Sequence, residues 1–390
     1  MAVSRRVQEF MSAASWIRRM FEQGAELKRK YGSEAVFDFS LGNPDLEPPE
    51  AFFRALEALV VERPAGAHRY MQNAGYPETR ARIAAKVLAE HGVDPGASGV
   101  VMTVGAAGAL NVCFKALLDP GSEVIVLDPY FPEYRFYVDN HGGALVQVPT
   151  GEDFDLDLDA VERALTPRTR AIVVNSPNNP TGRVYSQDRL DALGALVDAK
   201  APEATIITDE PYRRIVYDGV VPGSVLRGTA RSAVATSFSK DLGLAGERIG
   251  FLAVHPEHPD REAFLGAAVF ANRTLGFVNA PALMQRVVAR MEDVTVDLER
   301  YARRRSLFLE GLRAAGYECV TPEGAFYLFP RSPIPDDVAF VQELLNERIL
   351  AVPGSGFARP GFFRLSYAVP GETIERALPG FARARERLLA

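Results

Sequence analysis

Residues Thr236–Phe251 read TSFSKDLGLAGERIGF. Lys240 follows the hydroxyls of Ser237 and Ser239, and Arg248 comes next among the glycines Gly243, Gly246 and Gly250. A lysine amine can attack a carbonyl carbon, while hydroxyls and a planar guanidinium suit a phosphate dianion. The stretch lies between two β-like runs, Ser232–Thr236 and Ile249–Val254, which places Lys240 just past the carboxyl end of a strand.

Working upstream, the same arrangement repeats. Val100–Val104 is β-like and is followed by Gly105, Ala106 and Ala107, then by a helical stretch through Leu118. Glu123–Leu127 ends in DPYFPEY, Ala171–Val174 in NSPNNPTG and Thr205–Thr208 in DEPY. Short buried strands alternating with helical segments predict an α/β fold, a mostly parallel sheet flanked by helices. Such sheets bind ligands beyond the carboxyl ends of their strands. Asn179, Asp209 and Lys240 each follow a β-like run, so they are expected to converge on one crevice.

Outside this series the pattern changes. From about residue 281 the chain becomes long helical stretches, with short strands expected around Ala325–Phe329 and Gly361–Tyr367. Near the start, Ala14–Tyr31 has the spacing of an amphipathic helix, and Phe37–Leu41 reads as a short strand ending in GNPDLEPP. Between them and the sheet, HRYMQNAGYPETRARIAAKVLAEHG runs from a loop bearing Tyr70 into a helix, with Pro77 at an early helical position. The expected organisation is a large domain over residues 46–280 and a smaller α+β domain over 281–390, joined in space by residues 1–45.

The 390 residues are 47% hydrophobic and 24% charged, with a net charge of −6. That composition suits a globular chain with room for two domains, and the acidic balance argues against non-specific nucleic-acid binding. Arg303, Arg304 and Arg305 are expected on a solvated helix face. Cys113 and Cys319 make no disulfide framework and read as buried reduced thiols. Neither an export signal nor a membrane span is read, so the cytoplasm is the expected location. The five histidines form no HExxH pattern, His255 and His258 read as surface residues of a proline-broken loop, and no metal site is expected. A P-loop and a GxGxxG are also absent.

Pyridoxal phosphate fits the residues at the strand ends. Its ring is an electron sink only while the ring nitrogen stays protonated, and Asp209 is the carboxylate to hold that proton; the adjacent Glu210 is expected to point elsewhere. Tyr212 and Asn179 can hydrogen-bond the phenolic oxygen. The phosphate would sit at the helix start after Gly105, with Ala106 and Ala107, completed by Ser237, Ser239 and Arg248. Phe131 would cover the exposed ring face, with Tyr130 as the second candidate. Lys240, once displaced by substrate, would move a proton at the substrate Cα. Arg364, in GFFRLSYA, would grip an amino-acid carboxylate bidentately, helped by Asn179 and the Gly42 backbone.

Taken together, GNPDLEPP, NNPTG, DEPY, SFSK, GERIG and FFRLSYA resemble, in order and over nearly the whole chain, the class I aminotransferases of the fold-type I pyridoxal-phosphate enzymes. The resemblance implies that Lys240 forms a Schiff base with the cofactor, that Asp209 pairs with the pyridine nitrogen and that Arg364 binds the substrate carboxylate. It further implies a homodimer with active sites at the interface, where Tyr70 reaches the phosphate of the neighbouring subunit. Two positions depart from the family pattern. Phe131 stands where many relatives have tyrosine or tryptophan, and Ala106 where serine is common.

The implied reaction moves an amino group from an L-amino acid to a 2-oxo acid. The rival on the same cofactor is β-elimination or carbon–sulfur lysis; a non-catalytic regulatory descendant would be expected to lose Lys240, Asp209 or Arg364. Side-chain choice is expected to fall to Trp16, Ile17 and the loop from Arg273 to Phe277, with Arg273 as a reader of an acidic side chain.

Overall fold

A computed structural model describes residues 3–12, 16–291 and 293–389. Ala14 and the side chain of Ile17 lie outside what is described. The described residues build a seven-stranded sheet from β2 (Val100–Thr103), β3 (Glu123–Asp128), β4 (Ala144–Pro149), β5 (Thr169–Asn175), β6 (Thr205–Asp209), β7 (Ser232–Ser237) and β8 (Gly250–Val254), in the order β2-β8-β7-β6-β5-β3-β4. β8 runs antiparallel to both of its neighbours, and the other neighbouring strands run parallel. The mostly parallel sheet read from the sequence is therefore present.

The central strands carry Val, Ile and Ala on both faces because helices cover both. β5 through β8 are almost wholly buried. One face packs Ala109, Cys113 and Phe114 of the helix Gly105–Leu117 with Phe264 and Ala268 of the helix Arg261–Thr274. The other packs Leu190, Leu193 and Val197 of the helix Gln187–Lys200 against Ile172 and Ile206. The sequence reading did not assign β4. This edge strand is only half-buried, so its ALVQVP segment lacks the continuous apolar run that marks the inner strands.

The first strand, β1 (Phe37–Asp38), pairs in parallel with Ile349–Leu350, so the N-terminal segment is held against the C-terminal part of the chain. Met20, Val36 and Phe39 share an apolar cluster with Phe308, Phe340, Leu365 and Phe381. A three-stranded sheet, Val352–Pro353, Phe363–Ser366 and Tyr327–Leu328, carries Arg364 and Tyr327 toward the large sheet. The helix Ala282–Arg290 instead packs Met284, Val287 and Val288 with Phe52, Ile83 and Phe251.

Two surface expectations fail. Arg303 is exposed as expected, but Arg304 and Arg305 are buried, not solvated. Arg304 pairs with Asp45 at 2.8 Å and Arg305 with Asp218 at 2.7 Å, the latter guanidinium lying 4.6 Å from the Tyr217 ring centre. His255 and His258 are buried too, and each Nδ1 accepts a loop N–H, from Glu257 and Asp260 respectively. Both histidines thus complete turns inside the loop. Cys113 is buried and Cys319 half-buried, and both are free thiols.

Candidate active site

The carboxyl ends of β5, β6 and β7 open on a cavity of about 400 Å³, within the size range of small-molecule sites. Asn175 closes β5 and ties two of these ends together. Its amide donates to the Asp209 carbonyl at 2.8 Å and its Oδ1 accepts from the Asn179 N–H at 2.7 Å.

Asp209 is the last residue of β6. Its Oδ2 accepts a 2.5 Å hydrogen bond from the Tyr134 hydroxyl, while Oδ1 is buried without a partner. Burial raises its pKa to about 7, and the Tyr134 bond opposes the rise only in part. Glu210 turns away, toward Arg213 at 3.2 Å and His91 at 3.4 Å.

Lys240 follows β7, and its Nζ donates to the Gly42 carbonyl at 2.6 Å. It makes no ion pair among the described residues. Burial, reinforced by the positive fields of Arg364 and Arg248, lowers its pKa to about 8, which is the direction a nucleophilic lysine needs.

At one end of the cavity the helix Gly105–Leu117 begins without a side-chain cap. Its free N–H groups and dipole favour an anion. Ala106, Ala107, Ser237, Ser239 and Arg248 line this end. Gly105 has φ +77°, and a Cβ there would stand 2.7 Å from Arg248 Nη2, so the close approach of guanidinium and helix start requires glycine.

At the other end lies Arg364, 2% exposed. Its Nη1 donates to Asn179 Oδ1 at 2.9 Å and its Nη2 to the Ser40 carbonyl at 2.6 Å, while Nε is buried and unpartnered. The guanidinium lies 4.6 Å and 4.8 Å from the ring centres of Tyr327 and Phe357. A buried cation held only by neutral acceptors is stabilised by an anion entering the cavity.

The structure thus brings Gly42, Ala106, Ala107, Phe131, Asn179, Asp209, Tyr212, Ser237, Ser239, Lys240, Arg248 and Arg364 to one cavity, with Gly105 behind its wall. Tyr130 is turned elsewhere, its hydroxyl accepting from Gln147 at 2.8 Å. The Gly42 carbonyl accepts from Lys240 Nζ, which leaves the Gly42 N–H as the group able to serve a carboxylate. Tyr70 is 89% exposed and outside the cavity. Trp16, Arg273 and Phe277, expected to shape the side-chain pocket, do not line it within the chain.

Other residues take their place. Glu133, Tyr137 and Tyr327 line the cavity. Tyr134 holds Asp209, and Tyr327 shares a 2.8 Å hydrogen bond with the Tyr212 hydroxyl. Tyr134 belongs to the DPYFPEY loop that supplied Phe131, so its place at the carboxyl end of β3 was a usable signal. Tyr327 comes from the separate small sheet, and no sequence pattern links it to β6.

The family model described as aminotransferase class I and II matches residues 34–381. The aspartate/prephenate aminotransferase of Thermus thermophilus is 37% identical, with 99% of each chain covered. The aspartate aminotransferase of Thermotoga maritima is 34% identical, with 96% of this chain and 97% of the relative covered. Among solved structures, an amino transferase from Eubacterium rectale superposes with a TM-score of 0.95 at 38% identity, covering 99% of both chains. The Thermus thermophilus aspartate aminotransferase with maleate gives 0.87 at 33% identity, covering 98% of this chain and 100% of the other. These neighbours share the fold-type I architecture read from the sequence, and the chain belongs to the class I and II aminotransferase family and is a transaminase.

Proposed function

We propose that the cavity binds pyridoxal 5'-phosphate and that the protein moves the amino group of an L-amino acid to a 2-oxo acid, with Lys240 as its central base. One observation carries this reading: Lys240 with a half-buried amine, Asp209 with a buried carboxylate oxygen that has no partner, and Arg364 with an unpartnered Nε line the same cavity. When bound, the cofactor supplies an electron sink for negative charge at the substrate Cα.

Each residue then has a task. Asp209 would hold the proton on the ring nitrogen through the oxygen that Tyr134 leaves free. The helix start at Gly105, Ala106 and Ala107 would bind the phosphate together with Ser237, Ser239 and Arg248. Phe131 would cover a ring face, and Tyr212 and Asn179 would meet the phenolic oxygen. Arg364 would bind the substrate carboxylate and so place the Cα hydrogen near Lys240. With its pKa lowered to about 8, Lys240 has a usable neutral fraction near neutral pH and can accept that proton. The donor leaves as its 2-oxo acid, the acceptor leaves as an amino acid, and no ammonia is released.

The exposed Tyr70 fits a homodimer in which it reaches the partner's phosphate site. The packing of Met284, Val287 and Val288 supports starting the small domain after residue 293 instead of at 281. No described helix is long and apolar enough to cross a membrane, and we assign the enzyme to the cytoplasm.

The relatives' names make aspartate the first donor to test. Purified protein loaded with pyridoxal phosphate should convert the cofactor to its amine form with a suitable donor and yield the donor's 2-oxo acid in equal amount. Release of ammonia and pyruvate from donors with a leaving group on Cβ, without conversion of the cofactor, would replace this reading with the lyase one.

A further inference from the structure

Tyr327 stands in the small three-stranded sheet, paired with Ser366, two residues past Arg364 on the neighbouring strand. Tyr327 and Tyr212 are buried inside one chain and line the cavity together with Lys240 and Arg364. The Tyr327 ring centre lies 4.6 Å from the Arg364 guanidinium, and its hydroxyl is 2.8 Å from that of Tyr212. Aromatic packing holds both rings in place. Tyr212 meets Phe326 edge-on at 5.3 Å and Tyr327 at 5.7 Å, and Phe326 lies 5.0 Å from Tyr327.

The hydroxyl pair sits at the Lys240 end of the cavity. A Cβ built on Gly42 would collide with the Tyr327 hydroxyl, and the carbonyl of the same residue accepts from Lys240 Nζ. Nζ also lies 5.9 Å from the Tyr212 ring centre and 5.7 Å from that of Phe326. A phenol has one proton to donate and lone pairs with which to accept. Two facing hydroxyls therefore share one bond, and its direction depends on what else they meet. When Tyr212 gives its proton to a phenolic oxygen on the cofactor, only Tyr327 is left to supply the proton between the two. Burial raises both phenol pKa values, and the positive field of Arg364 is the first influence opposing that rise at Tyr327, which favours Tyr327 as the donor. A hydroxyl that already accepts a hydrogen bond is in turn a stronger donor.

We propose that Tyr327 is a positioning residue that acts on the cofactor through Tyr212: its hydroxyl donates to the Tyr212 hydroxyl and turns that group's own proton toward the cofactor's phenolic oxygen. The inference rests on the reading of the cavity as a pyridoxal phosphate site with Tyr212 at the phenolic oxygen.

Tyr327→Phe keeps the ring against Arg364 and removes only the hydroxyl. Wild type, Tyr327→Phe, Tyr212→Phe and the double variant are loaded with pyridoxal phosphate, and the visible absorbance of each is titrated with pH. The midpoint reports the proton held between the Lys240 nitrogen and the phenolic oxygen, and a hydrogen bond donated to that oxygen lowers it. The charged groups lining the cavity, Glu133, Asp209, Lys240, Arg248 and Arg364, are the same in all four proteins. Tyr212→Phe should raise the midpoint by about one pH unit, the order of one hydrogen bond to a charged group. Tyr327→Phe should raise it by about 0.3 unit, the share that one bond adds to the next in a chain. The double variant should match Tyr212→Phe alone, because the second hydroxyl acts only through the first. An unmoved midpoint in Tyr327→Phe would overturn the proposal, and with a lowered melting temperature it would mark a merely structural role. The same shift added on top of that of Tyr212→Phe would overturn it too, by showing that Tyr327 acts without Tyr212. Wild type that takes up no cofactor, or a Tyr212→Phe midpoint equal to that of wild type, would defeat the underlying reading of the site and the inference with it.

Discussion

The Tyr134 hydroxyl donates a 2.5 Å hydrogen bond to one oxygen of Asp209 and leaves the other buried and bare. The phenol orients the carboxylate and favours its ionised form, yet it uses only half of the acceptor capacity. The remaining oxygen is the one left for a protonated ring nitrogen. Tyr134→Phe should weaken pyridoxal phosphate binding roughly tenfold, the value of one hydrogen bond to a charged group. Titrating apo protein with cofactor and following absorbance measures this, and an unchanged dissociation constant would remove Tyr134 from the site.

Burial of Asp209 also makes stability depend on pH. Its folded pKa of about 7 lies above the unfolded value of about 3.9, so the folded state binds the extra proton between them. Its contribution is fully present below about pH 4 and is lost as pH rises through about 7. Apo Asp209→Asn should therefore melt about 2–4 °C above apo wild type at pH 8, with a smaller difference near pH 4.5. Thermal unfolding across this range checks the trend, and a gap that widens toward acid would reverse the sign and contradict it.

Gly105→Ala tests the anion end. The new Cβ would be strained by the positive φ and would press on Arg248 Nη2. A left-handed non-glycine residue costs roughly 1–2 kcal/mol, and displacing Arg248 should lower cofactor affinity by about tenfold. Equilibrium binding of the cofactor, with circular dichroism to confirm folding, reads both effects. Wild-type affinity in the variant would show that this approach is not needed.

How much of this was legible in the sequence follows from where each residue sits. Asn179, Asp209 and Lys240 lie at the ends of buried parallel strands, and the apolar runs of β5, β6 and β7 announce those strands directly. Their convergence then follows from the sheet alone. Arg364 and Gly42 were singled out by their local sequence and the family pattern, not by strand logic. Tyr327 and Glu133 were not found, because their approach depends on how the small sheet and the Pro132 helix start pack against the large one. The buried pairs of Arg304 and Arg305 were missed for a related reason. A basic run looks solvated until Asp45 and Asp218, far away in sequence, arrive beside it.

Arg364→Lys separates charge from shape at the substrate end. The ammonium keeps the charge but loses the planar fork that reaches Asn179, the Ser40 carbonyl and the cavity together. The donor half-reaction should lose roughly 30-fold or more in kcat/KM, the lower range for damaging a buried charged contact. Stopped-flow conversion of the cofactor measures it, and the cofactor's own absorbance should stay near that of wild type. A loss of cofactor without a change in donor kinetics would move Arg364 out of the substrate site.

The most direct test of the account is to find which residue holds the cofactor. Protein loaded with pyridoxal phosphate is reduced with borohydride, digested and mapped by mass spectrometry. A phosphopyridoxyl group is expected on Lys240 and on no other lysine, with no visible absorbance band in Lys240→Ala. Stoichiometric labelling of a different lysine, or an unchanged band in Lys240→Ala, would contradict it.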